Sequence, residues 1–252
     1  MIQQNTPEWR EARAGKITMS RAGDVLGYSA PKIEWCVIAA DGQITAMCGG
    51  GKTGEAKARR GAKGADRVEL RKTRDGEVLK CRKDYIADIV AEILTGEPRE
   101  SVKARALDWG HDVEAAARVA YEAETGDIVA PGGFVTHPLL DYIGCSPDGL
   151  IGEEGQTQIK CPQNPANHID ALEFGMPEEH VAQVQGELFV TGRRWSDFVS
   201  YDPRMKDPAL RLYVQRIERD EKFIVELATA CDSLWKEVQR RTSYITLMAK
   251  AA

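Results

Sequence analysis

The segment that most limits what this chain can fold into is residues 144–162, running from Gly144-Cys145-Ser146-Pro147-Asp148 to Ile159-Lys160-Cys161-Pro162. Gly152-Glu153-Glu154-Gly155 interrupts it, and the glycines let the chain reverse there, so the segment reads as two antiparallel strands joined by a tight turn. That reversal sets positions 148 and 158 nearly opposite each other, where Cβ atoms lie about 5 Å apart. Side chains alternate along a strand, so Gln158 and Lys160 share a face while Ile159 turns the other way into a core. Asp148, Gln158 and Lys160 then converge on one patch. A carboxylate and an amide oxygen are hard donors that suit magnesium, and an ammonium beside them can orient a water or relieve charge on a phosphodiester.

Elsewhere the apolar pattern gives the element order. Tyr85, Ile86, Ile89, Val90, Ile93 and Leu94 form a helical stripe stopped by Gly96 and Pro98, and Trp109, Val113, Ala117 and Tyr121 form a second that ends near Gly126. Residues 134–159 read as three short strands, with turns at His137-Pro138 and at 152–155. Pro177 suits the first turn of a helix running to about Gly192. Residues 194–201 and 210–217 read as strands, and a last helix carries Phe223, Ile224, Leu227, Cys231, Leu234, Trp235 and Val238. The fold class expected is α/β (α+β), a central mixed β-sheet flanked by helices. Ile159, Val184 and Leu188 are core by spacing.

The net charge of −5 hides an asymmetry. Residues 52–83 carry 12 Lys and Arg against five Asp and Glu, a net of +7, which leaves −12 for the rest. A basic segment on an acidic body points to a polyanion contact, with a solvated surface insertion as the plain alternative. Hairpins are expected around Asp41-Gly42 and Asp75-Gly76, with a mobile basic loop at 49–61 between them. Gly51-Lys52-Thr53 is not a nucleotide-binding P-loop, because Ala46 stands where the motif's first glycine belongs. The six cysteines and four histidines show no zinc-ligand spacing and read as reduced thiols and isolated imidazoles. No apolar run approaches the roughly 18 residues of a membrane span. Residues 1–8 lack the pattern of a secretory signal, so a cytoplasmic protein is expected.

Pro147-Asp148 followed by Gln158-Ile159-Lys160 resembles the PD-(D/E)xK nuclease signature, and the whole chain resembles the phage lambda exonuclease and YqaJ-like viral recombinase family. Trp9, Arg13, Gly15, Ile17, Thr18 and Ser20 match the family's opening W-x3-R-x-G-x-I-T-x-S. Trp109-Gly110 and Glu114 match its WG-x3-E helix, and the 146–150 and 159–162 pieces its active-site hairpin. Ala182-Gln183-Val184-Gln185 and Tyr201-Asp202-Pro203-Arg204-Met205 match a later helix and strand. The resemblance implies a restriction-endonuclease-like core, with residues 1–252 as a single exonuclease domain carrying a basic insertion at about 29–82. It implies Mg²⁺-dependent 5′→3′ digestion of one strand of linear double-stranded DNA, with Mn²⁺ as a substitute metal. The 3′ overhang would pass to a single-strand annealing protein, and the enzyme would be a homotrimer ring, phage or prophage encoded, in a bacterial host cytoplasm. On this resemblance Asp148, Gln158, Glu114 and the backbone carbonyl of Ile159 are the metal ligands. Lys160 positions or deprotonates the attacking water, and Gln183 assists near it. Arg13, Ser20 and Ser146 hold the terminal 5′ phosphate. By pattern alone Arg13 and Glu114 are surface residues of helices, Ser20 a cap beside the first helix, and Gln183 part of a polar helix face.

The chain departs from the signature at Gln158, where the family has Asp or Glu. The amide still offers an oxygen but removes one negative charge. Three readings stay open: an active enzyme with an amide ligand, an engineered weakening of the metal site, and a DNA-end-binding protein that no longer cuts. A restriction-type endonuclease is the further alternative, separable by whether closed circles are cut.

Overall fold

The structure, a computed structural model, describes residues 2, 4, 6–74, 76–98 and 104–251. In chain order the elements are α1 (Pro7–Arg13), β1 (Ile17–Thr18), α2 (Ala22–Val25), β2 (Lys32–Ile38), β3 (Ile44–Met47), α3 (Gly51–Gly61), β4 (Arg67–Arg74), α4 (Lys80–Thr95) and α5 (Ala104–Thr125). There follow β5 (Val129–Pro131), β6 (Val135–Thr136), β7 (Ile143–Cys145), β8 (Gly149–Ile151), β9 (Gly155–Lys160) and α6 (Pro165–Phe174). The chain closes with α7 (Val181–Thr191), β10 (Trp195–Tyr201), β11 (Leu212–Glu218) and α8 (Glu221–Ala251). It divides into two compact units, Met1–Leu26 with Asp84–Ala252, and Gly27–Lys83.

The larger unit holds a five-stranded sheet in the order β11-β10-β9-β8-β5. β9 and β10 run parallel and the other neighbours antiparallel, which is the mixed sheet expected. A second sheet, β1-β7-β6, pairs Ile17 and Thr18 in parallel with Ile143 and Gly144, so the chain around Ser20 lies beside the strand that leads into Ser146. One core gathers Ile17, Met19, Ile89, Ile143, Leu227 and Leu234, each nearly or wholly excluded from solvent. At about 1.5–3 kcal/mol for each such side chain, this burial is what fixes β1 and the turn after it. A second core under the five-stranded sheet packs Ile159 and Val199 against Ala117 and Tyr121 of α5. There the Tyr121 hydroxyl donates to Asp197 at 2.6 Å, and Arg216 grips the same carboxylate at 2.9 and 3.0 Å.

The smaller unit is a three-stranded antiparallel sheet, β3-β2-β4, with α3 beside β2. It corrects two expectations. Residues 51–61 are a helix rather than a mobile loop: Gly54 and Ala58 are buried, and a Cβ at 54 would strike the Gly49 carbonyl, so the small residues that read as a loop are what lets α3 pack. The hairpin around Asp41-Gly42 forms, but β4 pairs with β2 instead of folding back on a following strand, and Lys80 already begins α4. Asp75 lies outside the described residues.

Three boundaries in the larger unit also differ. Residues 134–159 contain four strands rather than three, because the run before the 152–155 turn breaks at Ser146-Pro147-Asp148, where the chain passes from the sheet that holds β7 to the one that holds β8. Pro177 precedes a single 3-10 turn, and α7 begins at Val181. α8 continues past Val238 to Ala251, where Tyr244, Leu247 and Met248 are exposed, so the buried stripe ends before the helix does.

Candidate active site

The turn after β8 places the central residues. Gly149 pairs with Thr157 and Ile151 with Gly155, so Asp148 stands opposite Gln158. Gln158 Nε2 donates to Asp148 Oδ2 at 2.6 Å, and the backbone N–H of Ile159 donates to the same oxygen at 2.7 Å. Ile159 itself is buried in the sheet core. Gly132 lies against the chain entering β8 so closely that a Cβ there would collide with the Pro147 carbonyl oxygen, one residue before Asp148.

Arg13, Ser20 and Ser146 come together although 133 residues separate Arg13 from Ser146. The Arg13 guanidinium lies over the Trp9 ring, 4.2 Å from its centroid, and donates to Ser20 Oγ at 3.1 Å and Ser146 Oγ at 3.5 Å. Trp9 Nε1 donates to Ser146 Oγ at 2.9 Å. Local sequence explains the placement: Thr6 caps α1 by accepting from the Trp9 N–H, Pro7 opens the helix, and the Tyr85 hydroxyl accepts from the Thr18 N–H at 2.8 Å just before Ser20. Arg13 thus presents a planar fork between two hydroxyls, and burial draws its pKa below the usual guanidinium value.

α7 supplies the next layer. Lys160 Nζ donates to Gln183 Oε1 at 3.4 Å, and Gln183 Nε2 donates to Gln158 Oε1 at 3.0 Å. The same nitrogen donates to Glu187 Oε1, one helical turn on, at 2.9 Å. Glu114 on α5 reaches the centre only indirectly: Arg118 Nη2 donates both to Glu114 Oε1 and to the Asp148 carbonyl, each at 3.2 Å. Farther along, Arg204 is held by Asp202 at 2.7 Å and donates to the carbonyls of Pro162 and Gln163, tying down the chain just beyond Lys160.

Electrostatics follow from burial. Burial pushes the Asp148 carboxyl up to about 6, against the pull of Lys160. Glu187 is pushed to about 8, again chiefly by burial, with the charge of Asp148 adding to it. All six cysteines are free, and burial raises Cys145 well above the usual thiol value and Cys161 to about 12, so neither is a thiolate nucleophile at neutral pH.

A scan against family models matches residues 73–194 to the YqaJ-like viral recombinase domain. A crystal structure of an alkaline exonuclease (LHK-Exo) from Laribacter hongkongensis superposes with a TM-score of 0.72 at 30% identity, covering 98% of this chain and 100% of that one. Its complex with dAMP gives 0.73 at 31% identity over the same shares. The chain belongs to the YqaJ-like viral recombinase family. A phage-related exonuclease from Haemophilus somnus 129PT shares the fold, with a TM-score of 0.60 at 14% identity over 91% of this chain and 96% of that one. No curated protein matches. Family membership makes the chain a nuclease of the recombination type.

Within that family frame, the Asp148 carboxylate is a hard donor that suits a divalent cation, while the Gln158 amide turns its nitrogen to that carboxylate and its oxygen to Gln183. Among the described residues no three His, Cys, Asp or Glu side chains are grouped to hold a metal, so a cation here must also draw on the amide of Gln158 or on backbone oxygens. Among the described residues Glu187 Oε2 is buried without a hydrogen-bond partner, and its Oε1 joins Gln183 to this set. Sequence reasoning missed Glu187 and Arg118, and gave no role to Trp9 although it opens the matched N-terminal motif. Glu187 stood in plain view four residues after Gln183 on the same helix face, but the buried stripe around it masked it.

Proposed function

We propose that the chain digests one strand of linear double-stranded DNA in the 5′→3′ direction from 5′-phosphorylated ends, using Mg²⁺ or, in its place, Mn²⁺. One observation carries this reading: Ser146, which accepts from Arg13 and Trp9, lies two residues before Asp148. A terminal phosphate gripped by Arg13, Ser20 and Ser146 would leave the adjoining phosphodiester beside the Asp148 carboxylate. Asp148 and Gln158 would hold the cation, with Glu114 and the Ile159 carbonyl as further donors. Such a cation supplies Lewis-acid stabilisation of the phosphoryl oxygens and a more acidic water. Gln183 fixes the Lys160 ammonium where it can orient the attacking water and offset developing charge. Water adds to phosphorus as the bond to the 3′ oxygen breaks, and a nucleoside 5′-monophosphate leaves. The shortened strand then begins with a new 5′ phosphate, the group the Arg13 pocket reads. The dAMP complex of the similar Laribacter protein supports a product of that class.

By family resemblance we extend the proposal to a homotrimer ring, a single-strand annealing partner, and one exonuclease domain with a basic insertion at about 29–82. The place of action would be a bacterial host cytoplasm. No helix among the described residues is long and apolar enough to cross a membrane.

A second reading, a DNA-end-binding protein with impaired hydrolysis, is favoured by the Gln158 amide donating to Asp148 and so competing with a cation for it. Linear duplex and covalently closed circles incubated with Mg²⁺ separate the possibilities. The exonuclease shortens one strand of the linear duplex and leaves circles intact. Tight end binding without shortening supports the second reading, and cut circles would show an endonuclease.

A further inference from the structure

The missing charge at position 158 has a counterpart across the site. Glu187 is 1% exposed, between Leu188 and Gly186 on α7, where an apolar side chain would pack at no electrostatic cost. Its Oε1 accepts from Gln183 Nε2 at 2.9 Å, Gln183 donates on to Gln158 Oε1 at 3.0 Å, and Gln158 donates to Asp148 Oδ2 at 2.6 Å. Two carboxylates therefore end one short chain of amides. Glu187 Oε2 is buried with no hydrogen-bond partner among the described residues, and the charges of Asp148, Lys160 and Arg13 act on Glu187. A buried carboxylate with an unsatisfied oxygen, under the charge of a second carboxylate, is costly unless it takes up a proton or a cation offsets it. The neighbouring Gly186 brings α7 close: a Cβ there would approach the side chain of Met19 to within 2.5–3.2 Å.

We propose that Glu187 is the carboxylate of the metal site that position 158 no longer supplies, so that the ligand has moved from β9 to α7 and Gln158 serves as the amide between two acidic ligands. The inference rests on the metal-dependent reading of the same site. It is tested by Mn²⁺ binding to the full-length, metal-stripped protein without DNA, followed by electron paramagnetic resonance and calorimetry. Wild type binds Mn²⁺. Glu187→Gln weakens binding at least tenfold, and the exchange Gln158→Glu with Glu187→Gln returns it to within about threefold of wild type, since a carboxylate is again present; a tenfold loss corresponds to about 1.4 kcal/mol. In EDTA, Glu187→Gln folds with a melting midpoint at or above that of wild type, because it removes a buried carboxyl whose Oε2 has no hydrogen-bond partner among the described residues. The proposal is overturned if wild type binds no Mn²⁺, if Glu187→Gln binds as wild type does, if the exchange does not restore binding, or if Glu187→Gln fails to fold. Mn²⁺ held through Glu187 with no DNA cleavage would sink the exonuclease reading and leave this one standing. Normal cleavage and normal Mn²⁺ binding by Glu187→Gln would do the reverse.

Discussion

Arg13→Lys tests the proposed end-recognition pocket without removing its charge. Arg13 now spans two hydroxyls, at 3.1 Å from Ser20 Oγ and 3.5 Å from Ser146 Oγ, and stacks 4.2 Å from the Trp9 centroid. A phosphate seated there would take two parallel charge-assisted bonds from the guanidinium, each contributing about 1.5–3 kcal/mol. Lysine keeps a cation over Trp9 but cannot present two parallel N–H groups, so one bond is lost. That loss corresponds to about a tenfold to hundredfold change, at 1.4 kcal/mol for each factor of ten. The assay is kcat/KM on duplexes that differ only in a 5′ phosphate or a 5′ hydroxyl. Wild type should prefer the phosphate, and the ratio should fall by about ten- to a hundredfold in the variant. A ratio that stays constant in a folded variant would refute the reasoning. So would equal slowing on both substrates, which would mark Arg13 as a brace between α1 and β7.

Four other outcomes follow from the same structure. Metal-free protein should lose stability as pH rises: the Asp148 and Glu187 carboxyls lie above their unfolded values, so their contribution is complete below about pH 4 and is lost as pH passes about 6 and then about 8. For Glu187 this is at most about 5 kcal/mol, and melting in EDTA across pH 4–9 should show a slope that Glu187→Gln flattens. Tyr121→Phe removes the 2.6 Å bond to Asp197, costing about 1–3 kcal/mol in melting while leaving cleavage below the midpoint unchanged. Gly132→Ala drives a methyl into the Pro147 carbonyl and should cost about 1–3 kcal/mol and slow cleavage by displacing Asp148. Replacing the exposed Lys52, Lys57 and Arg60 of α3 with glutamine should flatten the salt dependence of DNA binding by about 0.9 log units for each phosphate left without its cation, and an unchanged slope would make α3 a solvated surface.

The hairpin was legible because two physical rules fix it together: the glycine-flanked turn sets the register and strand alternation sets the faces. Asp148, Gln158 and Lys160 could therefore be placed from spacing alone. The convergence of Arg13 and Ser20 on Ser146 could not, because it depends on β1 lying beside β7, a pairing that no local periodicity reveals. It came from resemblance. α3 was hidden because Gly54 and Ala58, small residues that read as a loop, are small in order to pack. α6 was missed despite a readable start, the Asn164 side chain capping Pro165–Phe174, because it buries His168 and Ala171 while its large apolar residues Ile169 and Phe174 are exposed. Glu187 was missed for the opposite reason: Val184 and Leu188, both wholly buried, made its surroundings read as core.

The most direct test of the account follows the first turnover on a linear duplex with a 5′-phosphorylated, end-labelled strand, comparing wild type with Asp148→Asn in Mg²⁺. The account predicts that wild type releases the label as a nucleoside 5′-monophosphate, that the 3′ end of the same strand stays intact, and that Asp148→Asn binds the end but releases nothing. Release of labelled oligonucleotides, loss from the 3′ end first, or undiminished release by Asp148→Asn would contradict it.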